Sequence, residues 1–468
     1  MPTETTSTLV PREEVLTLLR VATPLIIMFL GISSMQFVDA YVVSMLGVEE
    51  LAAILPAERV WFVILSFSWG FFAVVTVSVA QLIGSDSDSQ VGTYGWAAVW
   101  LAILYGVLIT CIGWPLARPL FTWLGAEPDI VDREVDFFQI LLLATLPHVT
   151  QVALSNFFNG IQQTKILLYT SLLGSLTNAV LTYPLVFGVW FFPELGLKGA
   201  GWSTVIANIV QFVALFLAFR SRLVPERFAT SKPTWRIRPI LVLLRLGLPS
   251  GASGVIATFM DNIVFVAMIT SFGQATMASY VIADSFSYFV HMPVTAVSII
   301  MASTMGKSIG EGAPEDAAFY SRICRRLFLG YTVLCGLVLI LFSDPLARLF
   351  SSEPDVVSTS FVMFVCAAVY YCFDSLRLVF MDGLRAAGDV TVPAVAHFVF
   401  GVGILGGLGW IFLREYSELG VLGPWAARIL FIAAFGGFLG LRWFRGAWKS
   451  IDMFGDKESR EPRKEEVL

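Results

Sequence analysis

Apolar residues run in twelve long stretches along the chain, at about 21–46, 57–83, 94–114, 136–158, 167–192, 200–220, 243–271, 276–305, 325–343, 360–381, 391–412 and 420–444. Each exceeds the ~17 residues that a helix needs to cross a bilayer. None alternates with the two-residue period of a barrel strand, and each is about twice the ~10 residues such a strand uses. With no water in the bilayer core to satisfy the backbone, the pattern predicts twelve transmembrane helices.

Composition agrees and removes the rival classes. Of 468 residues, 57% are hydrophobic and 14% charged, against roughly 25% charged in soluble domains, and mean hydropathy is +0.77. A soluble fold of this length could not hide so much apolar surface. High hydrophobicity with a net charge of −5 excludes a disordered chain. A pI of about 5.4, without a basic patch interleaved with aromatics, argues against nucleic acid as a partner. Five cysteines without metal-type spacing argue against a disulfide framework or a zinc site. The polar lead from Met1 to Arg20 passes into an apolar run too long for a cleavable signal peptide.

Lysine and arginine set the expected orientation. With the N-terminus inside, twenty-two fall on inner segments and six on outer ones. Both termini are therefore expected in the cytoplasm.

The two halves echo each other. Trp114-Pro-Leu-Ala-Arg-Pro-Leu-Phe121 matches Asp344-Pro-Leu-Ala-Arg-Leu-Phe350, and Glu127-Pro-Asp-Ile-Val131 matches Glu353-Pro-Asp-Val-Val357. Pro24 with Pro249, Gly84 with Gly310, Gly160 with Gly383 and Gly199 with Gly423 keep nearly the same offset, 223 to 226. Six spans per half is an even number, so both halves enter the membrane the same way. That makes a parallel repeat about an axis along the membrane normal, a transporter architecture. The expected division is a six-helix lobe over 1–225, a basic cytoplasmic linker over 226–245 that touches anionic lipid, a second lobe over 246–450 and a cytoplasmic tail over 451–468.

Several motifs resemble one family. The first span carries Ala22-Thr-Pro-Leu25, Gln36-Phe-Val-Asp39-Ala-Tyr41 and Leu46-Gly-Val-Glu-Glu-Leu-Ala-Ala53. Asn159-Gly-Ile-Gln-Gln-Thr-Lys165 and Leu384-Arg-Ala-Ala-Gly-Asp389 occupy equivalent turns, and Gly199-Ala-Gly-Trp202 and Gly423-Pro-Trp425 begin spans six and twelve. In this order and spacing they resemble the multidrug and toxic compound extrusion (MATE) family, over about residues 14–445. The resemblance implies antiport: H⁺ or Na⁺ moves in and amphipathic, often cationic, compounds move out. In the family's NorM-like branch, acidic residues in spans one, seven and ten are functional. Asp39 falls on the first and Asp374 on the third. The second departs, because the branch's glutamate position is Ala257 here; Asp261 follows one turn later on the same face. Asn178 matches a frequent span-five asparagine, while the aspartate that archaeal-type members have four residues on is Thr182 here. The coupling ion stays open between H⁺ and Na⁺.

Asp39, Asp261, Asp284 and Asp374 lie inside predicted spans. A charged aspartate there costs ~2.5–3.5 kcal/mol, so it must face a cavity, pair, bind an ion or take up a proton. Desolvation lets a carboxyl hold its proton to higher pH, as proton coupling needs. Several carboxylates together suit Na⁺ instead, with Asp261, Asp284 and Asp374 as its ligands. Asp261 and Asp284, ~15 and ~12 Å from the outer ends of adjacent spans, could meet at one level. Plainer readings stand beside these. Asp374 pairs with Arg377 three residues on; Asp39 is solvated or caps its helix; Asp284 only bonds to neighbouring helices; Arg428 is a structural partner or snorkels. Asn178, Asn262 and Gln36 are candidates for a relay or polar cavity, Asn178 equally for a plain interhelical bond. Pro24 and Pro249 are candidate bend points or static first-turn prolines. His148 and His291 read as structural. Abundant Phe, Met and Trp suit a promiscuous cavity and a lipid-facing surface equally. The Gly403 to Gly407 spacing points to close helix packing.

Walker A, HExxH and GxSxG sequences are absent, so neither an enzyme nor a cofactor is expected, and energy must come from an ion gradient. The expected protein is an all-α integral membrane antiporter with twelve helices in two parallel-repeat lobes. It is a monomer in a prokaryotic inner membrane and takes small organic substrates. The alternative is a flippase of the same superfamily for lipid-linked sugars or other lipids.

Overall fold

In the computed structural model the twelve apolar runs are helices. The structure describes residues 12–45, 48–125, 131–189 and 192–455, the side chains at 12, 33–41, 43, 44 and 48–55 excepted. The helices are α1 (Arg12–Ser44), α2 (Val48–Gly84), α3 (Asp88–Trp123), α4 (Val131–Gly160), α5 (Thr164–Phe187), α6 (Leu197–Arg220), α7 (Ile237–Thr270), α8 (Gln274–Gly310), α9 (Pro314–Leu341), α10 (Pro354–Ala386), α11 (Thr391–Glu415) and α12 (Leu422–Phe444). Each is long and apolar enough to cross a membrane. At 37 residues, α2 and α8 reach ~55 Å and outrun a ~30 Å hydrocarbon core. Proline opens α9 and α10, where its missing N–H is no loss. α1 and α7 continue through Pro24 and Pro249. Phe72, Phe157, Phe158 and Phe364 are buried in the helix packing, while Phe289, Phe373 and Phe398 are exposed.

α1 to α6 pack mainly on one another and α8 to α12 likewise, while α7 lies chiefly along α2 and α2 also meets α8, so these helices form the seam between the two sets. The halves meet most closely at the end of the bundle that carries the 220–237 connection, here the linker end. Gln81 donates to the Ala386 carbonyl (2.6 Å), Ser303 to the Gly160 carbonyl (3.1 Å) and Gln162 to Thr304 (3.1 Å). A Cβ on Gly310 would sit 2.2 Å from the Gln81 carbonyl oxygen, and one on Gly84 2.1 Å from that of Lys307. These repeat-equivalent glycines let the two backbones touch. Gly310→Val is therefore expected to part the halves here, raising maleimide labelling of a cysteine at position 303 severalfold in a background without native cysteines. Unchanged labelling would mean that the seam absorbs a side chain.

Two helices are not uniform. α7 contains a π-helical segment at Met260–Phe265 and α11 another at Gly401–Leu408, and the two segments pack against each other. Such wide turns recur at functional sites. They also correct one expectation. A Cβ on Gly403 would meet nothing within 4 Å and one on Gly407 only the Val402 carbonyl of its own helix, so this pair is not a packing motif. Gly401, against Met260, and Gly409, against Met268, make the close approaches instead.

After α12 the chain does not trail away at residue 451. Trp448 stacks on Trp443 (4.1 Å, 7°) and donates to its carbonyl. The segment that follows, 451–455, is bound by Arg245, which donates to the Met453 carbonyl (2.6 Å), and by Arg238, which donates to that of Phe454 (3.4 Å). Met453 is buried, packs on Gly388 in the α10–α11 turn, and accepts a hydrogen bond from Ser78 of α2 at its sulfur (3.6 Å). Phe454 meets Tyr94 of α3 edge-on. Gly388 holds φ +84°, which an L side chain rarely adopts.

Candidate functional site

Polar side chains inside the second half form two clusters. The first is built around Arg428, one turn after Trp425 on α12. Its Nε donates to Asp261 Oδ1 at 3.0 Å. Its guanidinium lies 4.2 Å from the Tyr370 ring centre, 4.3 Å from Phe265 and 5.3 Å from Trp425. Tyr280 completes this aromatic wall, edge-on to Phe265 and Trp425. Arg428 is thus a buried cation whose charge is met by one carboxylate and the faces of three rings. Asp261 stands in the π segment of α7. Asp284, on α8, belongs to the same neighbourhood: Arg428, Asp261, Arg59 and Tyr280 are the groups that act on its carboxyl. Beside Asp261, Asn262 accepts a hydrogen bond from Arg59 of α2 (3.1 Å), a contact between the halves.

The second cluster centres on Asp374 of α10. Arg377 Nε donates to Oδ1 at 2.6 Å, and His291 Nε2 lies 3.0 Å from Oδ2. All three side chains are largely buried. The His291 ring tilts over Tyr371 at 4.6 Å. Tyr370 and Tyr371 precede Asp374 by one turn and connect the clusters, because Tyr370 contacts Arg428 while Tyr371 contacts His291. A third histidine, His397, pairs with Ser253 (2.7 Å) and stacks on Phe435.

Several expected site residues are elsewhere. Asn178, fully buried on α5, makes long contacts with Ser203 and Thr204 of α6 (3.4 and 3.5 Å), and Thr182 bonds to both the Asn178 carbonyl and Ser203. This is a hydroxyl-rich interhelical seam in the first half. His148 bonds to Asn208 (2.9 Å) near Trp61. The side chains of Gln36 and Asp39 lie outside the described residues. At the linker end, Asp389 takes Arg442 through both oxygens, 2.5 and 3.1 Å. Asp382 takes Arg385 and Ser298. These two acids tie the α10–α11 turn to its neighbours.

Asp261, Asp284 and Asp374 therefore do not converge as one oxygen cage. Two of the three hold an arginine, and no group of three or more His, Cys, Asp or Glu suited to a metal ion occurs among the described residues. His291, Tyr370 and Tyr371 were not among the expected site residues. The tyrosines could have been found, since they lie three and four residues before Asp374 on one helix face. The contact of His291 with Asp374 spans 83 positions and leaves no mark in the spacing.

A family model, MatE, matches residues 24–184 and 234–408. Among curated proteins, the multidrug resistance protein PmpM of Pseudomonas aeruginosa is 26% identical over 406 residues, covering 84% of this chain and 83% of its own. The multidrug resistance protein NorM of Vibrio parahaemolyticus is 27% identical over 447 residues, covering 92% and 95%. Among solved structures, a mutant of the Vibrio cholerae MATE transporter VcmN superposes with a TM-score of 0.83 at 20% identity, covering 93% of this chain and 97% of that one. The eukaryotic MATE transporter AtDTX14 also gives 0.83, at 16% identity, with the same coverage. At these identities the structures carry the fold.

Proposed function

The chain belongs to the MatE family, multi-pass membrane transporters rather than enzymes, and on that premise we propose that it exports amphipathic organic cations in exchange for protons. Relatives named as multidrug resistance proteins support drug efflux. Proton coupling rests on one observation: Arg377 and Arg428 already sit on Asp374 and Asp261 at 2.6 and 3.0 Å. A guanidinium on the same carboxylate disfavours any added cation, but Na⁺ must in addition gather several oxygens, whereas a proton needs a single lone pair. Protonation of Asp374 removes the anion that holds Arg377 and His291, and protonation of Asp261 does the same for Arg428. The released cations then change how the second half packs, and the two halves rock about their α2–α7 contact to expose the substrate on the other side. In this reading the lobes are 1–225 and 246–450, and the linker end faces the cytoplasm of a prokaryotic cell.

The test uses purified full-length protein in proteoliposomes with clamped membrane potential and ethidium as the probe. An imposed pH gradient is expected to drive ethidium movement, and an imposed Na⁺ gradient at equal pH is not. Movement under Na⁺ alone would overturn the proton assignment. Movement under neither, with translocation of a fluorescent lipid, would favour the flippase reading.

A further inference from the structure

Two buried polar atoms on α8, Ser287 Oγ and His291 Nδ1, have no hydrogen-bond partner among the described residues. Both residues are more than nine-tenths buried, at 2% and 8% exposure. They are four residues apart, one helical turn, and Asp284 lies three residues before Ser287 on the same face. Buried polar groups are normally paired. Two orphans in series between two charged clusters therefore point to a shared use.

The other side of the imidazole is fully engaged. Asp374, with Arg377 at 2.6 Å, is a carboxylate and can only accept, so His291 Nε2 carries the ring proton and Nδ1 presents a bare lone pair. The charged and titratable groups about this ring are few. α10 supplies Asp374, Arg377 and Tyr371, and α8 itself supplies Asp284. From α11, His397 shares the field of Asp374 and Arg377. Arg428 of α12 and Asp284 both act on Tyr371, against which His291 packs. No charged residue of α1, α2, α4 or α9 has a described contact with His291.

We propose that Ser287 and His291 form a proton relay along α8 that joins the Asp284–Arg428 cluster to the Asp374–Arg377 pair. Neither orphan atom touches the other, so each step uses a bridging water: the proton on Asp284 passes through one water to the Ser287 hydroxyl, which gives its own proton through a second to His291 Nδ1. The imidazolium then releases its Nε2 proton to Asp374 Oδ2 and is left as the Nδ1–H tautomer. One carboxyl loses a proton and another gains it, so net charge is unchanged. What changes is that Arg377 loses its counter-ion while Asp284 regains a charge in the neighbourhood of Arg428, whose pair with Asp261 persists throughout. The relay rests on the proton-coupled reading and assigns that reading a route.

The chain has three histidines, so their ring resonances in isotope-labelled full-length protein in nanodiscs can be assigned by His148→Gln, His291→Gln and His397→Gln. Asp284→Asn should move the tautomer-sensitive ring nitrogen resonances of His291, while the surface control Asp344→Asn leaves them in place. In proteoliposomes, Ser287→Ala should slow proton-driven ethidium movement by about tenfold, with Ser287→Thr near wild type, and imidazole should partly restore His291→Ala. A His291 resonance indifferent to Asp284→Asn, or Ser287→Ala vesicles at the wild-type rate, would overturn the relay. Wild-type vesicles driven by Na⁺ alone would instead overturn the proton-coupled reading, so the two failures are distinct.

Discussion

Asp374→Asn is expected to reduce proton-driven efflux to background while leaving a folded protein that still binds the organic cation. Asparagine keeps the shape and one acceptor for Arg377 and His291, at 2.6 and 3.0 Å in the native site. It cannot take up a proton, so it imitates the protonated carboxyl at every pH. Binding of ethidium, read by anisotropy across pH, should therefore lose the part of its pH dependence that Asp374 supplies. The folding cost is that of turning charge-assisted hydrogen bonds into neutral ones, about 1–2 kcal/mol. Asp374→Ala leaves Arg377 buried without an anion and should cost more, about 3–5 kcal/mol. Wild-type pH-gradient-driven transport by Asp374→Asn would remove Asp374 from the mechanism.

Arg428→Met should be among the most destabilising single changes in the second half. It removes the cation from three ring faces and from Asp261 at 3.0 Å. Breaking a buried pair costs about 3–5 kcal/mol. Asp261 keeps 27% of its side chain exposed, so water takes up part of that charge and about 2–3 kcal/mol is the better expectation. Adding Asp261→Asn removes the stranded anion, and the double variant should recover on the order of 1–2 kcal/mol. The measurement is a double-mutant cycle on unfolding in detergent. Additive losses would mean that the pair is a geometric coincidence and that Arg428 is held by its rings alone.

Much of this architecture could be read from the chain, because bilayer crossing is a constraint of length and polarity. Twelve apolar runs gave twelve helices, with ends displaced where polar turns such as Gln90 to Thr93 and Glu315 to Asp316 are helical beyond the hydrocarbon depth. The repeat also marked real seams, since Gly84 and Gly310 bring the halves together. Pairings inside one helix were legible: Asp374 with Arg377 is an i, i+3 contact. Pairings between helices were not. Asp261 and Arg428 are 167 positions apart, and nothing in either neighbourhood names the other. The π segments were equally hidden. The Gly403 to Gly407 spacing points to close packing only where the helix keeps 3.6 residues per turn, and the wide turns at Gly401–Leu408 break that register. Met260–Phe265 carries no glycine or proline at all. The ordinary helical spacing that links Ala257 to Asp261 therefore ends at the wide turn where Asp261 stands.

The segment after α12 grips the two halves unequally. Its firm anchors are Arg238 and Arg245 at the start of α7, Trp443 of α12 and the Lys449–Glu315 ion pair (2.6 Å) to α9. The contacts described for it with the first half are the Met453 thioether with Ser78 and a ring edge at Tyr94. Under a load that pulls the halves apart at this end, the joint is expected to give at Ser78 and Tyr94, and the segment to leave with α7 and α12. The seam thus behaves as a hook-and-catch rather than a hinge, and Tyr94, with Phe454 as the partner that leaves, is where its release could be watched.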